Sequence, residues 1–93
     1  MKAKWIAALR SGKYQQSWGA LRGYDGYCCL GVLCDVADPE GWDGDSHRKY
    51  VSQPEQSILD SVGLTNCQVT RLIHLNDRED ASFADIADYL EKL

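Results

Sequence analysis

Apolar and polar positions follow a helical period over most of the chain. Trp5, Ile6, Ala8 and Leu9 make one stripe, and Gly12 suits the left-handed position beyond a helix end. This spacing predicts a first helix over Ala3–Ser11. From Cys29 to Ala37 the apolar residues Cys29, Leu30, Val32, Leu33, Val36 and Ala37 lie on nearly all sides. A helix of that kind is the most buried segment of a small domain. Asp38-Pro39 ends it, because proline disfavours helix in the residue before it. Between these helices, a turn at Gly23–Gly26 separates two short extended pieces, around Trp18–Arg22 and Tyr27–Cys28. A small β-hairpin near residues 18–29 is expected. Residues 38–50, DPEGWDGDSHRKY, are polar and glycine-bearing and read as one long surface loop.

The second half carries start and stop signals. Ser52 and Glu55 form S-x-x-E with Pro54 in the first turn, which predicts a capping box. The helix it opens buries Ile58, Leu59 and Val62 and stops at Gly63. Thr65 and Gln68 repeat the arrangement, and that helix turns Val69, Leu72, Ile73 and Leu75 inward before ending near Asn76-Asp77. Ser82 caps a last helix with Phe83, Ile86, Ala87 and Leu90 on one side. The expected fold is mainly α (α+β): one compact domain over residues 1–93, with about five short helices and a small hairpin.

Length and composition agree with one soluble domain. Ninety-three residues leave no room for a second core. Apolar residues at 44% and charged residues at 26% are ordinary for a globular chain. No apolar run approaches the ~20 residues that span a bilayer, so no membrane partner is expected. The opening MKAKWIAALRSG reads as an amphipathic helix of the mature protein and not as a signal peptide, so a cytoplasmic location is expected.

Charge changes the picture more. Residues 1–24 hold five bases and no acid, whereas residues 25–93 hold five bases and all 14 acids. The acids gather at Asp35, Asp38, Glu40, Asp43 and Asp45, and again from Asp77 to Glu91. An acidic run is by default a solvated face, but it can also meet a basic partner.

The sulfur-rich stretch GYCCLGVLCD allows four readings. A disulfide conflicts with a reducing cytosol and with the adjacency of Cys28 and Cys29. Zinc needs tight ligand pairs, and Cys29/Cys34, His47, Cys67 and His74 supply none. A nucleophilic cysteine needs a base and a polar site, whereas Cys29 and Cys34 lie among leucine and valine. The preferred reading is buried packing, with Gly31 allowing another element to approach closely. No catalytic residue, metal ligand or cofactor is assigned, and no P-loop, G-x-S-x-G, H-E-x-x-H or EF-hand pattern occurs.

The aromatic residues direct attention to binding. Five tyrosines and three tryptophans stand against one phenylalanine. Two surfaces follow from their neighbours. Trp42 with Asp38, Glu40, Asp43 and Asp45 makes an aromatic anchor in an acidic rim, suited to a basic protein surface. Lys13, Tyr14, Trp18, Arg22 and Tyr24 combine bases with rings, as a nucleotide or nucleic-acid site would. Rings that merely cover the edge of a small core are the competing reading for both.

The blocks KWIAALRSGKY, GALR, YCCLGVLCD, LND and SFADIADYLEKL keep their order over more than half the chain. They resemble a group of small bacteriophage and prophage proteins with no established activity, so no catalytic residue carries over. The loop from Asp38 to Ser52 has no fixed pattern in that group. The resemblance implies a phage accessory protein acting in the bacterial cytosol. Analogy with inhibitors of host defence, such as anti-CRISPR proteins, suggests a non-enzymatic protein that occupies a basic host surface. Nucleotide or nucleic-acid sequestration is the alternative.

Overall fold

The computed structural model describes residues 1–93 and is organised around the sulfur-rich helix. In chain order the elements are α1 (Lys2–Arg10), α2 (Cys29–Ala37), β1 (Trp42–Asp43), β2 (Ser46–His47), α3 (Gln56–Val62), α4 (Asn66–Asp77) and α5 (Phe83–Glu91). The fold is mainly α with a small two-stranded antiparallel sheet, as the periodicity predicts. No helix is long and apolar enough to cross a membrane.

Every residue from Cys29 to Cys34 is buried, so α2 forms the centre of the core. α1 packs against both α2 and α5, and α3 and α4 also pack against α2. Trp5 of α1 has no exposed surface, and its Nε1 donates to the Cys29 carbonyl at 2.9 Å. Burying a side chain of this size contributes on the order of 3 kcal/mol. From α5, Phe83, Ile86, Ala87 and Leu90 are all buried, which matches their one-sided spacing.

Gly31 has a steric duty. A Cβ built on it would stand 1.7 Å from the Leu21 carbonyl oxygen. The bend in the backbone at Leu21 therefore lies directly on α2, and only a glycine permits it. Leu21 is locked there twice, accepting from Cys28 N at 3.1 Å and donating to Val51 O at 2.7 Å.

Asn76 joins three segments. It is fully buried at the C-terminal end of α4. Its Oδ1 accepts from Gln16 Nε2 at 3.0 Å and from Cys29 N at 3.2 Å. Its Nδ2 donates to Ser17 O at 2.9 Å and to the Asp77 carboxylate at 2.8 Å. All four hydrogen-bonding positions of the amide are filled. A buried polar side chain is tolerated when it is satisfied in this way.

Three local expectations need correction. The β-ladder lies at Trp42–His47, not near residues 18–29. Residues 15–28 are held instead by isolated bridges, Gln16 to Tyr27 and Arg22 to Tyr27. Close glycines there favour turns over a continuous ladder. The segment 38–50 is correspondingly more than a surface loop, since it carries both strands and buries His47. Ser52 does not cap α3. Its N-cap is Glu55, which makes no side-chain cap bond, and Pro54 is buried ahead of the helix. The other signals operate as read: Gly63 is left-handed after α3, Thr65/Gln68 closes as a capping box, and Ser82 caps α5, where Asp85 adds a reciprocal bond that the sequence reading did not include.

Cys28, Cys29 and Cys34 belong to the hydrophobic core, whereas Cys67 is exposed. Burial pushes the Cys28 thiol up to about 11 and the Cys34 thiol up to about 12, and it raises Cys29 as well. Buried neutral thiols react slowly. A thiol reagent is expected to label one cysteine in the native protein and all four after denaturation. Rapid labelling of more than one native thiol would show that α2 is not the packed centre.

Candidate functional site

Residues from both predicted surfaces meet at the solvent end of α2. Asp35 is the link. Its Oδ2 accepts from the Tyr14 hydroxyl at 2.6 Å, and its Oδ1 accepts from Trp42 Nε1 at 3.0 Å. From there four rings run edge to face. Tyr14 meets Tyr27 with centroids 5.0 Å apart, Tyr27 meets Trp42 at 5.9 Å, and Trp42 meets His47 at 4.8 Å. Edge-to-face pairs of this kind add roughly 0.5–1.5 kcal/mol each beyond area burial.

Arg22 closes the stack from outside. Its guanidinium carbon lies 4.4 Å from the Trp42 ring centre. The same group donates to the Gly44 carbonyl, from Nε at 3.1 Å and from Nη2 at 2.6 Å. A cation–π contact and a forked hydrogen bond thus tie the turn at residues 22–26 to the tip of the β1–β2 hairpin.

His47 anchors the hairpin from inside. The ring is fully buried, with Nε2 2.8 Å from the Asp38 carbonyl oxygen. A carbonyl only accepts, so Nε2 carries the proton and Nδ1 is left buried without a partner. The Arg48 guanidinium donates to the Asp38 carboxylate at 2.7 Å and holds that carboxyl below its usual value. The next turn places Arg48 and Lys49 both at positive φ, 49° and 81°. Non-glycine residues there cost about 1–2 kcal/mol each. Two hydrogen bonds between His47 and Tyr50, at 2.7 and 2.9 Å, help to hold the turn closed.

These contacts divide the predicted residues. In the acidic set, Trp42 is a half-buried pillar and Asp38 is paired, so neither is an exposed anchor. Glu40, Asp43 and Asp45 are exposed, and none belongs to an ion pair. In the basic-aromatic set, Tyr14 and Arg22 are already bonded to other parts of the chain, while Lys13, Trp18 and Tyr24 are exposed. Sequence reasoning missed Asp35, Tyr27 and His47. Aromatic spacing could not reveal them, because the stack joins residues from four separate segments. It also missed Tyr50, which is 48% exposed and pairs with His47 across the Arg48–Lys49 turn.

Burial pushes the Tyr14 hydroxyl up to about 12, and its hydrogen bond to Asp35 acts in the same direction. The folded value lies above the free value of about 10. Stability from this contact is therefore complete below about pH 10 and is lost as pH rises toward about 12. Ultraviolet titration is expected to show one tyrosine ionising late, and a Tyr14→Phe variant should remove that late step. An unchanged titration curve in the variant would refute the assignment.

A family model matches residues 1–58, well over half of the 93 residues. The chain belongs to DUF8296, a domain of unknown function. The DUF8296 span ends inside α3 and contains every ring and charge of the stack, from Tyr14 to Arg48. It leaves out α4 and α5, although these complete the core and provide Asn76. No curated protein and no solved structure matches the chain.

Proposed function

We propose that the domain is a non-enzymatic protein-binding module whose contact surface is the β1–β2 hairpin and its border. The observation that carries this reading is a braced hairpin with its carboxylates free. Ring stacking, Arg22 and His47 hold the backbone, while Glu40, Asp43 and Asp45 face solvent without partners. Exposed Tyr24 lies two residues beyond Arg22, and exposed Tyr50 pairs with His47. Tyrosines at a contact surface supply buried area with little entropy loss, and the acids select a basic partner. A pre-formed hairpin also avoids the ordering cost that a loose acidic loop would incur on binding.

In the bacteriophage setting that the sequence blocks resemble, the partner is a nucleic-acid-handling host protein. The acidic tip would occupy the basic surface such a protein offers to phosphate. The nucleotide-binding alternative is less well supported by the geometry, because Tyr14 and Arg22 are engaged internally.

The test is a capture experiment from bacterial lysate with mass spectrometry. The parent protein is compared with a variant in which Glu40, Asp43 and Asp45 are all lysine. Expected is a basic partner retained by the parent and lost by the variant, with unchanged circular dichroism. Equal retention by both proteins would refute the reading.

A further inference from the structure

The largest concave surface lies away from the hairpin, along the outer side of α1. A groove of about 740 Å³ is lined by Lys2, Ala3, Ile6, Ala7, Arg10 and Glu91. It is separate from the side of α1 that serves the core, where Trp5 and Leu9 are buried. Ile6 packs in part against the core, and beside it the outer side of α1 presents the two alanines of the groove between its charged ends. Ala3 and Ala7 are exposed and Ile6 is half-buried.

The charges at the two ends of the groove select its occupant. Lys2 stands at one end, outside any ion pair. About two turns along, roughly 12 Å, Arg10 binds both Asp88 and Glu91. Within this cluster one cation faces two carboxylates, a net charge of −1. The face is therefore positive at one end, negative at the other and apolar between. A twofold copy running antiparallel matches it, since Lys2 of each chain meets the Asp88–Glu91 pair of the other. The same arrangement sets the small side chains of Ala3 and Ala7 across the axis, which lets the helices approach closely. We propose that this groove is the interface of a symmetric dimer of the chain. One nine-residue helix from each copy makes a small interface, so association is weak and depends on concentration.

Sedimentation equilibrium from micromolar to millimolar protein tests this. The mass of the parent is expected to rise from 10.4 kDa toward twice that value and no further. Ala7→Arg changes an exposed position, so circular dichroism should be unaltered while the dissociation constant rises at least about tenfold. Lys2→Glu is expected to weaken the dimer, and Lys2→Glu with Glu91→Lys to restore it. Charge reversal at Asp43 and Asp45 should leave it unchanged. A parent that stays monomeric, masses that climb beyond the dimer, or loss of association on reversing the hairpin charges would each overturn the proposal.

Discussion

Gly31→Ala is expected to be the most damaging single-methyl change in the protein, costing about 3 kcal/mol or more or preventing folding outright. Helix propensity alone would favour alanine by up to about 1 kcal/mol, so the expected sign is opposite to what local preference dictates. The deciding fact is the 1.7 Å separation between the added carbon and the Leu21 carbonyl oxygen. The obstacle is backbone, so no rotamer change can relieve it. Moving Leu21 away would break its bonds to Cys28 and Val51 and would pull the aromatic stack with it through Arg22. Urea denaturation of the variant measures the effect. Native-like stability would mean that the Leu21 segment does not lie on α2, and the account of the fold would fail with it.

Asn76→Asp is expected to be nearly as costly and to reveal itself through pH. The substitution conserves shape but replaces the Nδ2 donor with an oxygen. That oxygen would face the Ser17 carbonyl and the Asp77 carboxylate, both acceptors. Burial and the neighbouring carboxylate both oppose ionisation, so the new carboxyl titrates higher in the folded state than the unfolded value of about 4. A group raised in this way stabilises the fold only while protonated. The deficit of the variant should therefore grow as pH rises above about 4, reaching about 3 kcal/mol or more at neutral pH. Denaturation midpoints of variant and parent at the two pH values give the comparison. An equal deficit at both would show that position 76 is open to water and that the hub does not exist.

These two residues mark how far the sequence is legible. Gly31 could be singled out in an otherwise bulky helix, because a glycine amid leucine, valine and cysteine suggests close approach. Its partner could not be named, since the approaching carbonyl belongs to a segment without a strong pattern. Asn76 carries a signal that is readable in the sequence. It continues the inward positions Val69 and Leu72 of α4, and a polar residue on a buried stripe implies a satisfied network. The ladder lies at Trp42–His47 and not near residues 18–29 for a related reason. Residues 18–29 have the turn glycines, but their pairing partners include Gln16 and Val51, outside the expected ladder. The candidate site was half legible. Charge and aromatic content pointed to both surfaces, yet which side chains would face inward depended on Asp35 and Arg22 finding them.

By itself the sequence determined the helices, most of their ends and the sulfur-rich core segment. Those features come from near neighbours: periodicity over a few turns, capping boxes spanning three residues, and burial that follows from composition. Only the tertiary structure decided that Trp42 is a pillar, that Arg22 is its clamp and that three carboxylates are left to face solvent. Such contacts join residues far apart in the chain, where no spacing rule applies, and their outcome depends on which polar atoms reach a partner first excluded from water.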